Sequence, residues 1–375
     1  MRTDVRAVVW SVGLGALLLA TIAVCTAVGP VDIAPTAVLA AILNELWLPT
    51  GASLTDGSVR VFGVSLLPFG VGLQTTHPFQ FHVAETTRVI VVSLRLPRIA
   101  LAAIVGFALA AAGTVMQGFF RNPMADPSIV GVSSGAAVGA VSFITLGGAI
   151  PLVGTAVPFG IEGAAFLGAV AAAFLVYTIA TDGGRTPVAT LLLAGVAVQT
   201  FLGAVVSFLM VTSPEGTLQR AYYWLLGDLG MNAAWEPVGV AFVAVSVSFL
   251  LLLPFTRDLN VLMLGEEDAH HLGIEVERTK RILLAVSSGI TAAGVAVAGV
   301  IGFVGLVVPH AMRLVVGPDH RVLLPTSALA GATFLVVADT LARSTAEVLP
   351  VGIVTAAVGA PFFLFLLSRR EVHAL

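Results

Sequence analysis

Ten apolar runs, most of them about 20 residues long, leave this chain few ways to fold. They fall at about 8–29, 97–120, 128–149, 161–180, 188–212, 236–255, 282–300, 302–316, 322–342 and 351–368, separated by proline, glycine or charge. In lipid every backbone polar group must be bonded within the protein, so only helices and closed barrels cross a bilayer. Runs of this length suit helices, because barrel strands need only about half as many residues. The expected fold class is an all-α polytopic membrane protein of about ten transmembrane helices, arranged as a single transmembrane domain over 1–375. The eighth run is short and interrupted at "VVPH", which predicts a partial or broken helix.

Composition closes several other routes. Hydrophobic residues make up 58% of the chain and charged ones 10%, where a soluble domain carries about 25% charge. The 39 glycines suit helices that approach closely in lipid. A net charge of −3 and a pI near 6.1 argue against a generally basic surface, so nucleic acid is not an expected partner. Cys25 is the only cysteine, no Cys/His cluster has zinc spacing, and no metal site is expected. His77 and His82 read as ordinary loop histidines. The chain has no H-E-x-x-H, no nucleophile elbow and no G-x-x-x-x-G-K-[ST] loop, so neither catalysis nor a cofactor is expected in it. If ATP drives it, another chain must hold the nucleotide.

Arginine placement orients the spans. The chain has 17 arginines and one lysine, Lys280. With the N-terminus inside, 12 of these 18 basic residues face inward: Arg2, Arg6, Arg121, Arg185, Arg257, Arg278, Lys280, Arg281, Arg313, Arg321, Arg369 and Arg370. Arg60, Arg88, Arg95, Arg98, Arg220 and Arg343 fall outside. Both termini are therefore expected in the cytoplasm of a multi-pass cell-membrane protein, and the first apolar run, too long for most cleaved signals, is expected to be retained.

Two stretches lie outside the spans. Residues 30–88 form an outer excursion with turn signals ("LTDGS", "THPF") and an alternating run, "VRVFGVSL", that suits a strand. Residues 256–281 lie inside and carry the densest charge. There Glu266, Glu267 and Asp268 precede His270 and His271 between Gly265 and Gly273, which predicts a short helix with charges matched to its dipole. Such a helix is marginal alone. It reads either as a solvated connector or as a docking helix for a cytoplasmic partner, with Ala269 and Leu272 as its apolar face.

A few polar residues sit within spans. Asp339 precedes Arg343 by one helical turn in the favourable acid-first order, which suits a carboxylate holding an arginine in place near the outer interface. Gln117 and Gln199 suit either a substrate path or bonding between helices. Asp126 is expected to cap the third span.

Seven stretches carry a resemblance: "RLPRIALAAIVGFALAAAGTVMQGFFRNPMADPSIVGVSSGAAVGA", "LLLAGVAVQ", "YYWLLGDLG", "LNVLMLGEEDAHHLGI", "GFVGLVVPHAMRLVVGPDHRVLLP", "ADTLAR" and "LPVGIVTAAVGAPFFLFLL". In this order they resemble the permease subunits of the iron-siderophore, haem and vitamin B12 ABC importers, most of all the vitamin B12 branch. The resemblance implies a type II ABC importer permease fold and a homodimer in the lipid bilayer. It also implies two ABC ATPase subunits that use ATP-Mg and an extracytoplasmic substrate-binding protein. It places Gly265, Glu266, Ala269, Leu272 and Gly273 on the helix that couples to the ATPases. It makes Arg95, Arg98 and Arg343 the docking point for acidic residues of the binding protein, presented outward and supported by Asp339. Gln199, Thr200 and Ser207 become candidates for the translocation path. Pro187, Val188 and Ala189 stand where vitamin B12 permeases carry hydroxyl residues at the inner gate. The implied cargo is vitamin B12 or a related corrinoid, with ferric siderophore or haem as the alternative. An ion-coupled secondary transporter would instead need intramembrane acids or broken helices in matching halves.

Overall fold

The run that opens with "RLPR" becomes the centre of the protein. In the structure, a computed structural model describing residues 3–29, 31, 33–45, 48–55, 59–61, 64–67, 70–76, 78–147, 160–345 and 347–368, it extends backward into one long helix, Glu85–Phe119. Before it come α1 (Thr3–Ala27) and α2 (Pro35–Asn44), so this helix is α3. Its residues Val89–Arg95 take π-helical geometry. Pro97 has no N–H to donate, and the wide turns end just ahead of it, where α geometry resumes. From Ile99 onward α3 is buried almost all round. Small residues make this possible: a Cβ on Gly106 would stand 2.8 Å from both the Gly331 carbonyl carbon and Leu335 Cβ. Two backbones meet there without side chains between them.

The remaining helices follow in chain order: α4 (Val132–Leu146), α5 (Gly160–Ala180), α6 (Val188–Val211), α7 (Glu215–Leu225), α8 (Trp235–Leu252), α9 (Thr256–Leu262), α10 (Glu266–His271), α11 (Val276–Ala298), α12 (Val304–Val316), α13 (His320–Arg343) and α14 (Val351–Ser368). All ten expected runs are helical. Among the described residues seven helices are long and apolar enough to cross a membrane, while Val132–Leu146, Val304–Val316 and Val351–Phe365 are shorter apolar helices. The eighth run is one of these: α12 has 13 residues, roughly 20 Å at 1.5 Å per residue. It continues through Pro309 without breaking.

Helices α11 and α13 pack on α3, α1 lies over α13, and α4 packs against α5. Leu101, Val105, Met116, Leu283, Ile290, Leu323 and Leu335 fill the shared core. Helices α1, α5, α6 and α8 leave large apolar side chains exposed on their outer faces, as helices in lipid do.

The outer excursion is built from α2 and four strands: β1 (Leu48–Thr55), β2 (Val59–Val61), β3 (Val64–Leu67) and β4 (Gly70–Thr76). β1 pairs antiparallel with β4, and β2 with β3, so the inner hairpin is enclosed by the outer pair. The run "VRVFGVSL" thus becomes two strands rather than one. Asn44 closes the base of the excursion, giving and receiving hydrogen bonds of 2.8 Å with the Phe81 backbone. His82 is exposed and His77 lies outside the described residues, as do Arg2, Arg369 and Arg370.

Candidate functional site

Three groups of residues carry the expected function: an arginine cluster where α3 begins and α13 ends, on the side expected outside; the α10 region, on the side expected inside; and one face of α6.

At the outer end, α1 stops at Ala27 and leaves carbonyls without helical partners. Arginines supply them. Arg95 donates from Nη1 to Thr26 O at 2.9 Å and Ala27 O at 3.1 Å, and from Nη2 to Val31 O at 2.5 Å. Arg343 Nη2 donates to Cys25 O and, at 3.2 Å, to Thr340 Oγ1. A positive group at a helix C-terminus also suits the dipole. Gly29 leaves room for Arg95, since a Cβ there would lie 2.8 Å from Nη2.

Asp339, 0% exposed, takes the third arginine: Arg98 donates from Nε to both carboxylate oxygens at 2.9 and 3.2 Å, and its Nη2 lies 2.8 Å from Oδ1. Arg343 Nε stands 3.7 Å from the other oxygen. Two expectations are corrected here. Asp339 holds Arg98 first and Arg343 only as a longer ion pair. The arginines are also not presented outward as a pair: Arg95 and Arg343 are 6% and 4% exposed, and the Arg98 side chain 14%. The π-helical turns before Leu96 and the free carbonyls of α1 draw them inward.

A further cation on the side expected outside is Arg220 on α7, exposed and with no ion pair among the described residues. It stands on the same helix as the exposed Tyr222 and Tyr223. Spacing gives no signal for it; exposure does.

At the inner end, Gly265 (φ 134°) and Gly273 (φ 85°) bracket α10 in backbone conformations that favour glycine. The helix forms where expected, but its apolar face divides. Ala269 is fully buried within the chain and Leu272 is 63% exposed. Only Leu272, beside exposed Glu267, Asp268, His270 and His271, is open to a partner. Glu266 turns toward Lys280, with Nζ to Oε1 at 3.2 Å.

On α6, Gln199 Nε2 donates to Ser128 O at 2.9 Å and Ile129 O at 2.7 Å. It ties α6 to the turn before α4. Thr200 and Ser207 are exposed, and each donates to its own helix, at 2.9 and 3.0 Å. Seven residues apart, they share one face with Leu193, Val196 and Phe208. That face is apolar with a sparse line of hydroxyls. Asp126 caps the 3-10 turn Pro127–Val130, accepting from Ser128 N at 2.9 Å, rather than α4 itself, which begins at Val132 after Gly131. Gln117 bonds between helices, donating to Leu306 O at 3.1 Å and accepting from Arg313 at 3.1 Å.

The profile of the FecCD transport family matches residues 16–369. The chain is 57% identical over 376 residues to the cobalamin import system permease protein of Halobacterium salinarum, covering 100% of both chains. It is 44% identical over 282 residues to the hemin transport system permease protein of Yersinia pestis, covering 74% of this chain and 83% of that one. Among solved structures, a metal-chelate type ABC transporter in an inward-facing conformation superposes with a TM-score of 0.73 at 29% identity, over 96% of this chain and 98% of its own.

Proposed function

The chain belongs to the FecCD transport family of ABC importer permeases, and we propose that its cargo is vitamin B12 or a related corrinoid. The observation that carries this choice is the full-length 57% identity to a cobalamin permease. The hemin permease shares less and over a smaller part of the chain, which makes haem or a ferric siderophore the second reading. As a multi-pass transport component the chain supplies the passage, and ATP-Mg is used by partner subunits.

The assembly we infer is a homodimer with both termini in the cytoplasm, two ATPase subunits below and a binding protein above. The exposed face of α6 carrying Thr200 and Ser207 is our candidate for the passage, because a large chelate needs room and few fixed charges. For the ATPase contact we assign α10, with Leu272 as the exposed apolar contact and Gly265 and Gly273 setting the helix ends. Glu266 and Ala269 hold α10 against the body of the subunit.

Docking of the binding protein we assign to the outer surface above Arg95, Arg98 and Arg343. Beneath that surface the guanidiniums of Arg98 and Arg343 share Asp339, at 2.8 and 3.7 Å, with Asp228 nearby. Their part is steering, and Arg220 is the cation free to make direct contact. The test of the cargo is a strain lacking this chain: it loses uptake of labelled cyanocobalamin and regains it with the gene. A defect confined to hemin or ferric-siderophore uptake overturns the corrinoid assignment.

A further inference from the structure

We propose that Lys280, the chain's only lysine, is the positioning residue that carries movement of α10 to the inner end of α6. The proposal rests on the permease reading above and adds to it a specific mechanical link.

The geometry is a three-way junction. An ammonium has three donors and no acceptor. Here all three are used: Nζ lies 2.8 Å from Thr186 O, 3.2 Å from Glu266 Oε1 and 3.0 Å from Glu277 Oε1. Glu266 is the first residue of α10, Glu277 stands one turn back on α11, and Thr186 ends the turn that leads into α6. The Lys280 side chain is 6% exposed, so its bonds are not exchanged freely with water.

Thr186 is held at both backbone groups. Its carbonyl accepts from Lys280, and its N–H donates to Glu277 Oε2 at 3.1 Å. The turn it closes is stiff. Asp182 and Arg185 exchange two backbone hydrogen bonds of 3.0 Å across Gly183 and Gly184, and the Thr181 and Thr186 hydroxyls lie 2.9 Å apart. Pro187 follows, limits Thr186 to extended conformations, and leads directly into the first turn of α6. Displacement of Thr186 therefore moves α6.

The opposite end of the junction is the element expected to move. With bonds of 2.8–3.2 Å, a shift of α10 by more than about 1 Å takes Glu266 out of hydrogen-bond range of Lys280 unless Lys280 follows. Either α10 draws the ammonium with it, pulling on the Thr186 carbonyl, or it releases the ammonium to Glu277 and Thr186 alone. Both change the restraint on the inner end of α6. A purely static role does not require a lysine, because a buried ion pair is commonly replaced by apolar side chains without loss of stability.

The test uses the full transporter reconstituted with its ATPase and binding protein, measuring cyanocobalamin uptake and ATP hydrolysis in parallel. For Lys280→Met the ATPase still co-purifies and hydrolysis stays within about twofold of wild type, while uptake per ATP falls about fivefold to tenfold; for Glu266→Gln uptake per ATP falls likewise, whatever amount of ATPase it recovers. The double variant is no worse than Lys280→Met, and Lys280→Arg recovers part of the loss. Uptake and hydrolysis falling together in proportion to assembled complex would mean a structural role and overturn the proposal, as would independent, multiplicative effects of the two substitutions. If Lys280→Met does not assemble, Glu266→Gln, which leaves the ammonium two partners, gives the same ratio. A wild-type complex that imports nothing sinks the functional reading beneath; an importing wild type with an unchanged ratio in both variants sinks this link alone.

Discussion

Asp339→Asn removes one charge at nearly constant volume from the outer arginine cluster. Its carboxylate is fully buried and serves Arg98 through contacts of 2.8–3.2 Å and Arg343 at 3.7 Å. Without it the Arg98 and Arg343 guanidiniums lose the carboxylate they share, and Asp228, near Arg98, is left as the neighbouring counter-charge. Breaking a buried pair by removing one partner costs about 3–5 kcal/mol. The lower end applies here, because the amide oxygen of asparagine still accepts one bond from Arg98 and Arg343 keeps Cys25 O and Thr340. An arginine presented to solvent would lose only about 0–1 kcal/mol. The two pictures are therefore separated by at least about 2 kcal/mol. The assay is reversible unfolding of the purified permease in mixed micelles, followed by the fluorescence of tryptophans such as Trp235, which donates to Val92 O beside the cluster. A loss below about 1 kcal/mol would refute the reasoning. So would a double variant, Asp339→Asn with Arg98→Met, that is less stable than Asp339→Asn alone, since removing the stranded cation must return part of the loss.

Other outcomes follow from the same geometry. Leu272→Arg, at an exposed position of α10, leaves the permease's unfolding midpoint unchanged but lowers the ATPase recovered with it by about tenfold in a pull-down, equal to about 1.4 kcal/mol. Ala269→Arg, at a buried one, destabilises the permease itself by about 3 kcal/mol or more before any partner is added, read from the same unfolding curve. Gly106→Leu forces apart α3 and α13 where their backbones touch, and the yield of monodisperse protein by size exclusion falls to near zero. Arg220→Glu slows capture of an acidic binding protein by about tenfold at low salt and much less at high salt, measured by surface-binding kinetics.

How much the sequence discloses depends on what each feature answers to. The ten apolar helices are legible because lipid imposes one rule, continuous apolar length, along the chain. α10 is legible because its ends are glycines with left-handed φ and its charges follow the helix dipole. The arginine cluster is legible as a cluster but not in its direction. Three-residue spacing places Arg95 and Arg98 on one face of a helix, but it does not say that this face meets the end of α1 and Asp339 rather than solvent. Nor does the sequence indicate that α1 ends where its carbonyls meet two guanidiniums. Gln199 shows the other limit: that it bonds the turn before α4 depends on which carbonyls lie within reach, which spacing along the chain does not give. Lys280 counts in the charge rule as one inner cation among twelve. Its place between α10 and Thr186, 94 residues away, appears only in three dimensions.

The account stands most directly on one measurement: ATP-dependent accumulation of labelled cyanocobalamin in proteoliposomes holding this chain with its ATPase and binding protein. The predicted result is accumulation that requires all three components, is abolished when ATP is omitted, and persists in excess hemin or ferric siderophore. Accumulation of hemin or ferric siderophore in place of cyanocobalamin would contradict the cargo, and cyanocobalamin uptake independent of ATP would contradict the mechanism.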